Sequence, residues 1–159
     1  MSLDPTRPVM SFDVGARRIG VAVGSAFGEG SKPIGVVMVH AAGPDWQQCE
    51  KWVMEWRPAG FVVGDPLTID GGDQPSRQRA RRFAQDLVTR FKKPVVMMDE
   101  RTSSIEAAQR FAASRAGGNA KRQDAELLDA WAAAVILDRW LASPQDGVEL
   151  QSQGDSKAT

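Results

Sequence analysis

The stretch that decides the fold is SFDVGARRIGVAVG, residues 11–24. An apolar run from Val9 ends in the carboxylate of Asp13, Gly15 follows, and a second β-like run, IGVAVG, occupies residues 19–24. Two such runs around so short a connection read as a hairpin. The GARRIG segment lacks the Gly-Lys-Ser/Thr ending of a phosphate loop, and it joins strand to strand rather than strand to helix. The phosphate-loop reading fails. What remains is a hairpin with two exposed arginines, Arg17 and Arg18, beside an acid that leaves a buried strand.

Outward from there, residues 34–40 (IGVVMVH) give a third strand and an antiparallel meander. The period then changes. In residues 45–56, Trp46, Cys49, Trp52, Val53 and Trp56 recur at helical spacing until Pro58 stops them. Residues 61–64 are a fourth strand, and residues 75–91 a helix striped by Ala80, Phe83, Ala84, Leu87, Val88 and Phe91. Residues 94–98 make a fifth strand, residues 102–114 a helix, and residues 127–141 a last helix. Strands that alternate with helices imply right-handed crossovers and parallel pairing. The expected class is α/β: a mixed five-stranded sheet, a three-strand antiparallel meander plus two parallel strands, with helices on both faces. Residues 1–142 are expected to form one domain, and the polar residues 143–159 a disordered tail.

Composition narrows the chemistry. The chain has 159 residues, 42% of them hydrophobic, enough for one real core. Twenty Lys and Arg balance 20 Asp and Glu, which excludes a generally polybasic binder but not a local basic patch. One Cys and one His exclude a disulfide framework and a Cys/His zinc site, so any metal is held mainly by oxygen. The apolar runs are too short for a membrane span, and the first residues carry no signal-like core, so a cytoplasmic setting is expected.

Three acidic positions stand out. Asp13 is either a metal ligand or a turn cap. In Asp99-Glu100-Arg101 the two acids should point to opposite sides of a strand, so only one of them need face the end of the first strand. Asp129 is the one polar residue of LLDAWAAAVIL, residues 127–137. It either favours the helix macrodipole or needs a cation on a closely packed, alanine-rich face. Together they form a three-carboxylate set suited to Mg²⁺ or Mn²⁺, with two ions roughly 3.5–4 Å apart for phosphodiester hydrolysis. Crowding of like charges would then make Asp129→Asn neutral or stabilising without metal. Between residues 77 and 93, Arg77, Arg79, Arg81, Arg82, Arg90, Lys92 and Lys93 face one acid, Asp86. This is a solvated helix face or a phosphate-binding one. The five tryptophans fall at helical core or edge positions and read as packing.

Taken together, FDVGARRIGVAVG, VVGDPLTIDG, DERTSSIEAAQRF and LLDAWAAAVIL, with the basic QPSRQRARRFAQDL, resemble the YqgF family, RuvC-resolvase-like proteins of the ribonuclease H-like superfamily. The resemblance spans most of residues 9–141. It implies the ribonuclease H-like sheet, a bacterial cytoplasmic setting, and a nuclease that matures the 16S rRNA precursor within ribosomal precursor particles. Its alternatives are Holliday-junction resolution and a non-catalytic RNA-binding assembly factor. The active site of the family falls on Asp13, the Asp99-Glu100 pair and Asp129, and Arg101 joins Arg17, Arg18 and the arginines of the basic helix as candidate contacts to structured RNA or branched DNA. One departure is Gly64-Asp65-Pro66, where the family commonly has Gly-Leu-Pro; Asp65 is a fourth ligand or a loop substitution that points into solvent. A sugar-kinase or actin-type phosphotransferase shares the first hairpin but needs two such domains. The sequence allows a homodimer without specifying one.

Overall fold

The computed structural model describes residues 2–28, 30–66, 75–99, 109 and 122–150. The elements are β1 (Val9–Val14), β2 (Arg18–Gly24), β3 (Lys32–His40), β4 (Gly43–Pro44), α1 (Trp46–Trp56), β5 (Phe61–Asp65), α2 (Pro75–Phe91), β6 (Val95–Asp99), α3 (Arg122–Ala142) and β7 (Val148–Leu150). The strands lie in the order β4-β3-β2-β1-β5-β6-β7. β1, β2 and β3 pair antiparallel as a meander, and β5 pairs parallel with both β1 and β6. The α/β class and the mixed pairing are as the sequence predicts. The strand count is not: β4 and β7 have two and three residues, too few to show an alternation.

Strand parity assigns the two faces. Met10, Phe12 and Val14 of β1, Ile19, Val21 and Val23 of β2, and Phe61 and Val63 of β5 pack with Cys49 and Val53 of α1 and with Ala80, Phe83, Ala84 and Leu87 of α2. The intervening positions face α3: Val9, Val62, Val96 and Met98 meet Ile136, Leu137 and Trp140, while Ala22 meets Ala133 and Ala134. Helices therefore cover both faces. Asp45 caps α1 by accepting a hydrogen bond from the Gln48 backbone N–H at 3.3 Å, and Arg57 closes it in the left-handed region at φ 46°. Trp46 stacks on Phe83 with ring centroids 5.2 Å apart, and the Arg90 guanidinium lies 4.2 Å from its ring centroid. Its ring is thus engaged in packing.

The expectation of a disordered tail from residue 143 needs correction. β7 adds to the sheet antiparallel to β6, with Val95 opposite Leu150 and Met97 opposite Val148. Gly147 lets the chain turn in closely, since a Cβ there would lie 2.4 Å from Val96 Cγ1. An edge strand needs few buried side chains, so polar composition does not prevent it. Residues 151–159 and the helix expected over residues 102–114 lie outside the described residues, apart from Gln109. Among the described residues, no helix is long and apolar enough to cross a membrane.

Candidate active site

The site is set by how α3 crosses the first hairpin. Ser11 and Asp13 project from β1 toward α3, and their register partners on β2 are Ala22 and Gly20. The buried Ser11 hydroxyl donates a hydrogen bond to the Ala133 carbonyl at 2.7 Å, which pins the helix at that level. Two residues along a strand advance about 6.6 Å and four along a helix about 6 Å. The step from Ser11 to Asp13 therefore matches the helical turn from Ala133 back to Asp129. The backbone agrees: a Cβ on Gly20 would lie 1.9 Å from the Asp129 carbonyl oxygen and 2.4 Å from its carbon. Only glycine admits so close a helix. Asp13 and Asp129 thus lie toward one end of one face, each half-buried.

Arg18 lies on the same face of β2, and its Nε donates to Asp129 Oδ2 at 2.6 Å. That hydrogen bond, reinforced by the charge of Asp129, holds the Arg18 pKa above its ordinary value. The hairpin itself forms as expected, closed by the Gly15 N–H on the Arg18 carbonyl at 2.9 Å, and Arg17 is exposed. Arg18 is not an exposed arginine, which corrects the hairpin reading. The signal for this contact was weak: Gly20, a glycine inside a strand, marks a close approach but does not name the partner.

The other acids separate by parity. Val62 faces α3 and Val63 faces α2, so Asp65 falls on the α2 side, where its carboxylate accepts a hydrogen bond from Arg77 Nε at 3.0 Å. The two side chains are only 12% and 18% exposed, so Asp65 neither points into solvent nor joins Asp13. Asp99 is in register with Asp65, on the same side by alternation. Glu100 and Arg101 lie outside the described residues.

The basic helix divides as well. Arg77 is held by Asp65, Arg90 lies 3.7 Å from Glu50, and Lys93 Nζ donates to the Pro58 carbonyl at 2.7 Å. Arg79, Arg81 and Arg82 make no ion pair among the described residues. Arg79, Arg82 and Asp86 line a cleft of about 400 Å³ with His40 and the turn residues Gly15 and Ala16. It opens on the α2 face, at the same end of the sheet as Asp13.

Asp13 and Asp129 offer hard oxygen donors of the kind that hold Mg²⁺ or Mn²⁺. That Asp129 already holds a guanidinium shows that this pocket accepts a cation. Two carboxylates, with water completing the shell, are a donor set of the kind that Mg²⁺ takes. Among the described residues, though, no three His, Cys, Asp or Glu side chains gather closely enough to hold one.

This sheet, with a helix laid across its first hairpin, is a RuvC-like, ribonuclease H-like fold. The structure of Thermus thermophilus RuvC overlays at a TM-score of 0.53, covering 90% of this chain and 99% of that one at 14% identity. The same enzyme in complex with a Holliday junction substrate gives a TM-score of 0.53 over 91% of this chain and 99% of that one, also at 14% identity. At that identity the likeness is one of fold. Sequence is more specific: residues 7–143 match the RuvX family model, described as Holliday junction resolvase. A Xanthomonas campestris pv. campestris (strain B100) protein named "Putative pre-16S rRNA nuclease" is 56% identical over 149 residues, 94% of this chain and 96% of the relative. A Xanthomonas oryzae pv. oryzae (strain PXO99A) protein of the same name is 57% identical over 146 residues, 92% of this chain and 94% of the relative. The chain belongs to the RuvX (YqgF) family.

Proposed function

We propose that the chain is a divalent-metal-dependent endonuclease that hydrolyses phosphodiester bonds in the precursor of 16S rRNA. The observation that carries this reading is the seating of Asp129 on Gly20, the register partner of Asp13. It brings two acids from distant parts of the chain to one end of a RuvC-like sheet. The third acid in this reading comes from the Asp99-Glu100 pair. When bound there, Mg²⁺ or Mn²⁺, as one or two ions, supplies activation of a water and stabilisation of charge on the leaving oxygen. Asp13 and Asp129 hold and orient that centre. Arg79, Arg81 and Arg82, with Arg17 on the hairpin, bind flanking phosphates. The names of the relatives support rRNA as substrate; in this reading the protein works in the cytoplasm on ribosomal precursor particles.

The test incubates the protein with a precursor 16S RNA fragment and, separately, with a four-way DNA junction, in Mn²⁺, Mg²⁺ or EDTA. Cleavage of the RNA that needs metal is the expected result. The family description favours junction resolution as the second reading, and cut junctions beside intact RNA would establish it. Binding of RNA that persists in EDTA, with no cleavage under any metal, would make the chain an assembly factor instead.

A further inference from the structure

We infer that Arg18 is a displaceable internal cation: it occupies the Asp129 carboxylate until a divalent metal takes its place. The inference rests on the metal-dependent reading above. Its basis is the geometry of the pair. Arg18 Nε stands 2.6 Å from Asp129 Oδ2, and both side chains are about two-thirds withdrawn from water, at 33% and 31% exposure. Arg18, Gly20 and Ala22 occupy alternate positions of β2, so the guanidinium approaches Asp129 from the face that Asp13 shares. The positive charge therefore lies inside the acidic site.

The backbone around the carboxylate has little freedom. The carbonyl of Asp129 is packed on Gly20, and the Ser11 hydroxyl holds the next turn of α3 at Ala133. A metal cannot reach Asp129 by shifting the helix; it must be met by the side chain where that stands. A guanidinium and a divalent ion on one carboxylate repel each other, and this partly buried site screens them less than water does. The arginine is the mobile partner, because its side chain is long and springs from the hairpin turn. Once displaced, it stands beside the bound metal with its donors open to a substrate phosphate. Metal binding and phosphate binding become coupled through one side chain.

The alternative is that Arg18 stays on Oδ2 and orients the carboxylate for a metal on Oδ1. Removing the charge of Arg18 relieves repulsion in either arrangement, so tighter binding is required by displacement and the Arg18 Nε–H resonance then separates the two. Mn²⁺ is titrated into the full chain without nucleic acid, followed by calorimetry, for wild type, Arg18→Gln and Asp129→Asn. Displacement predicts that Arg18→Gln binds Mn²⁺ about tenfold more tightly, within the roughly 5–150-fold usual for coupled sites. Unchanged or weaker binding by Arg18→Gln, with binding still lost in Asp129→Asn, overturns displacement and leaves the metal site standing. No Mn²⁺ binding by wild type overturns both. The Arg18 Nε–H resonance of the wild type reports displacement itself, and does so even if Arg18→Gln fails to fold. Saturating Mg²⁺ should shift it and speed its exchange with water, and an unmoved, protected signal overturns the inference.

Discussion

At the residue scale, the Arg18–Asp129 pair changes the energetics expected of the site. From sequence, Asp129 reads as an acid crowded by other acids, so neutralising it should be harmless without metal. The structure supplies a counter-charge on Oδ2, and the sign reverses. Asp129→Asn leaves a half-buried guanidinium with a weaker, uncharged acceptor. The metal-free variant should lose about 0.5–1 kcal/mol, the scale of a partly exposed ion pair. Urea melts in EDTA measure this; equal or greater stability would show that the pair contributes nothing. That Asp129 needs a partner is legible in LLDAWAAAVIL, where one acid interrupts an apolar run. Which partner it takes is not, because the contact spans 111 positions of chain and no local period reports it.

At the scale of elements, Arg79, Arg81 and Arg82 of α2 make no ion pair among the described residues. If Arg79, Arg81 and Arg82 meet phosphates, the affinity for single-stranded RNA should fall with salt at a slope near −0.7 per contact on log–log axes. Changing two of them to Gln should flatten the slope by about 1.4. An unchanged slope would return α2 to a solvated face. Arg77 does not belong in this test, since its guanidinium is held by Asp65. β7 gives the second element-scale prediction. It pairs with three residues of β6, and Gly147 packs against Val96 and Trp140. A chain that ends after Ala142 should therefore melt about 3–8 °C lower, the shift for a loss of roughly 1–2 kcal/mol. A melt that coincides with wild type would mean that the strand adds nothing. Sequence missed β7 because a three-residue edge strand has neither alternation nor an apolar face to read.

At the scale of the whole molecule, the meander, the two parallel strands and the helices on both faces were all written in the periods of the chain. Long apolar stripes fix such elements, and α2 falls on residues 75–91 as its stripe predicts. The site was legible as a set of acids but not as a geometry. Parity along β5 and β6 is what sets Asp65 and Asp99 on the face opposite Asp13, and it becomes readable only when the strand limits and facing helices are known. In the proposed function, α3 and the first hairpin build one acidic, metal-dependent hydrolytic site at the end of β1. The most direct measurement is Mn²⁺-dependent cleavage of a precursor 16S RNA fragment by wild type and by Asp13→Asn, with circular dichroism confirming that both are folded. Asn keeps the shape of the side chain and removes its charge, so the variant should fold normally and lose nearly all cleavage. A folded Asp13→Asn protein that cleaves as fast as wild type would remove Asp13 and this site from the reaction.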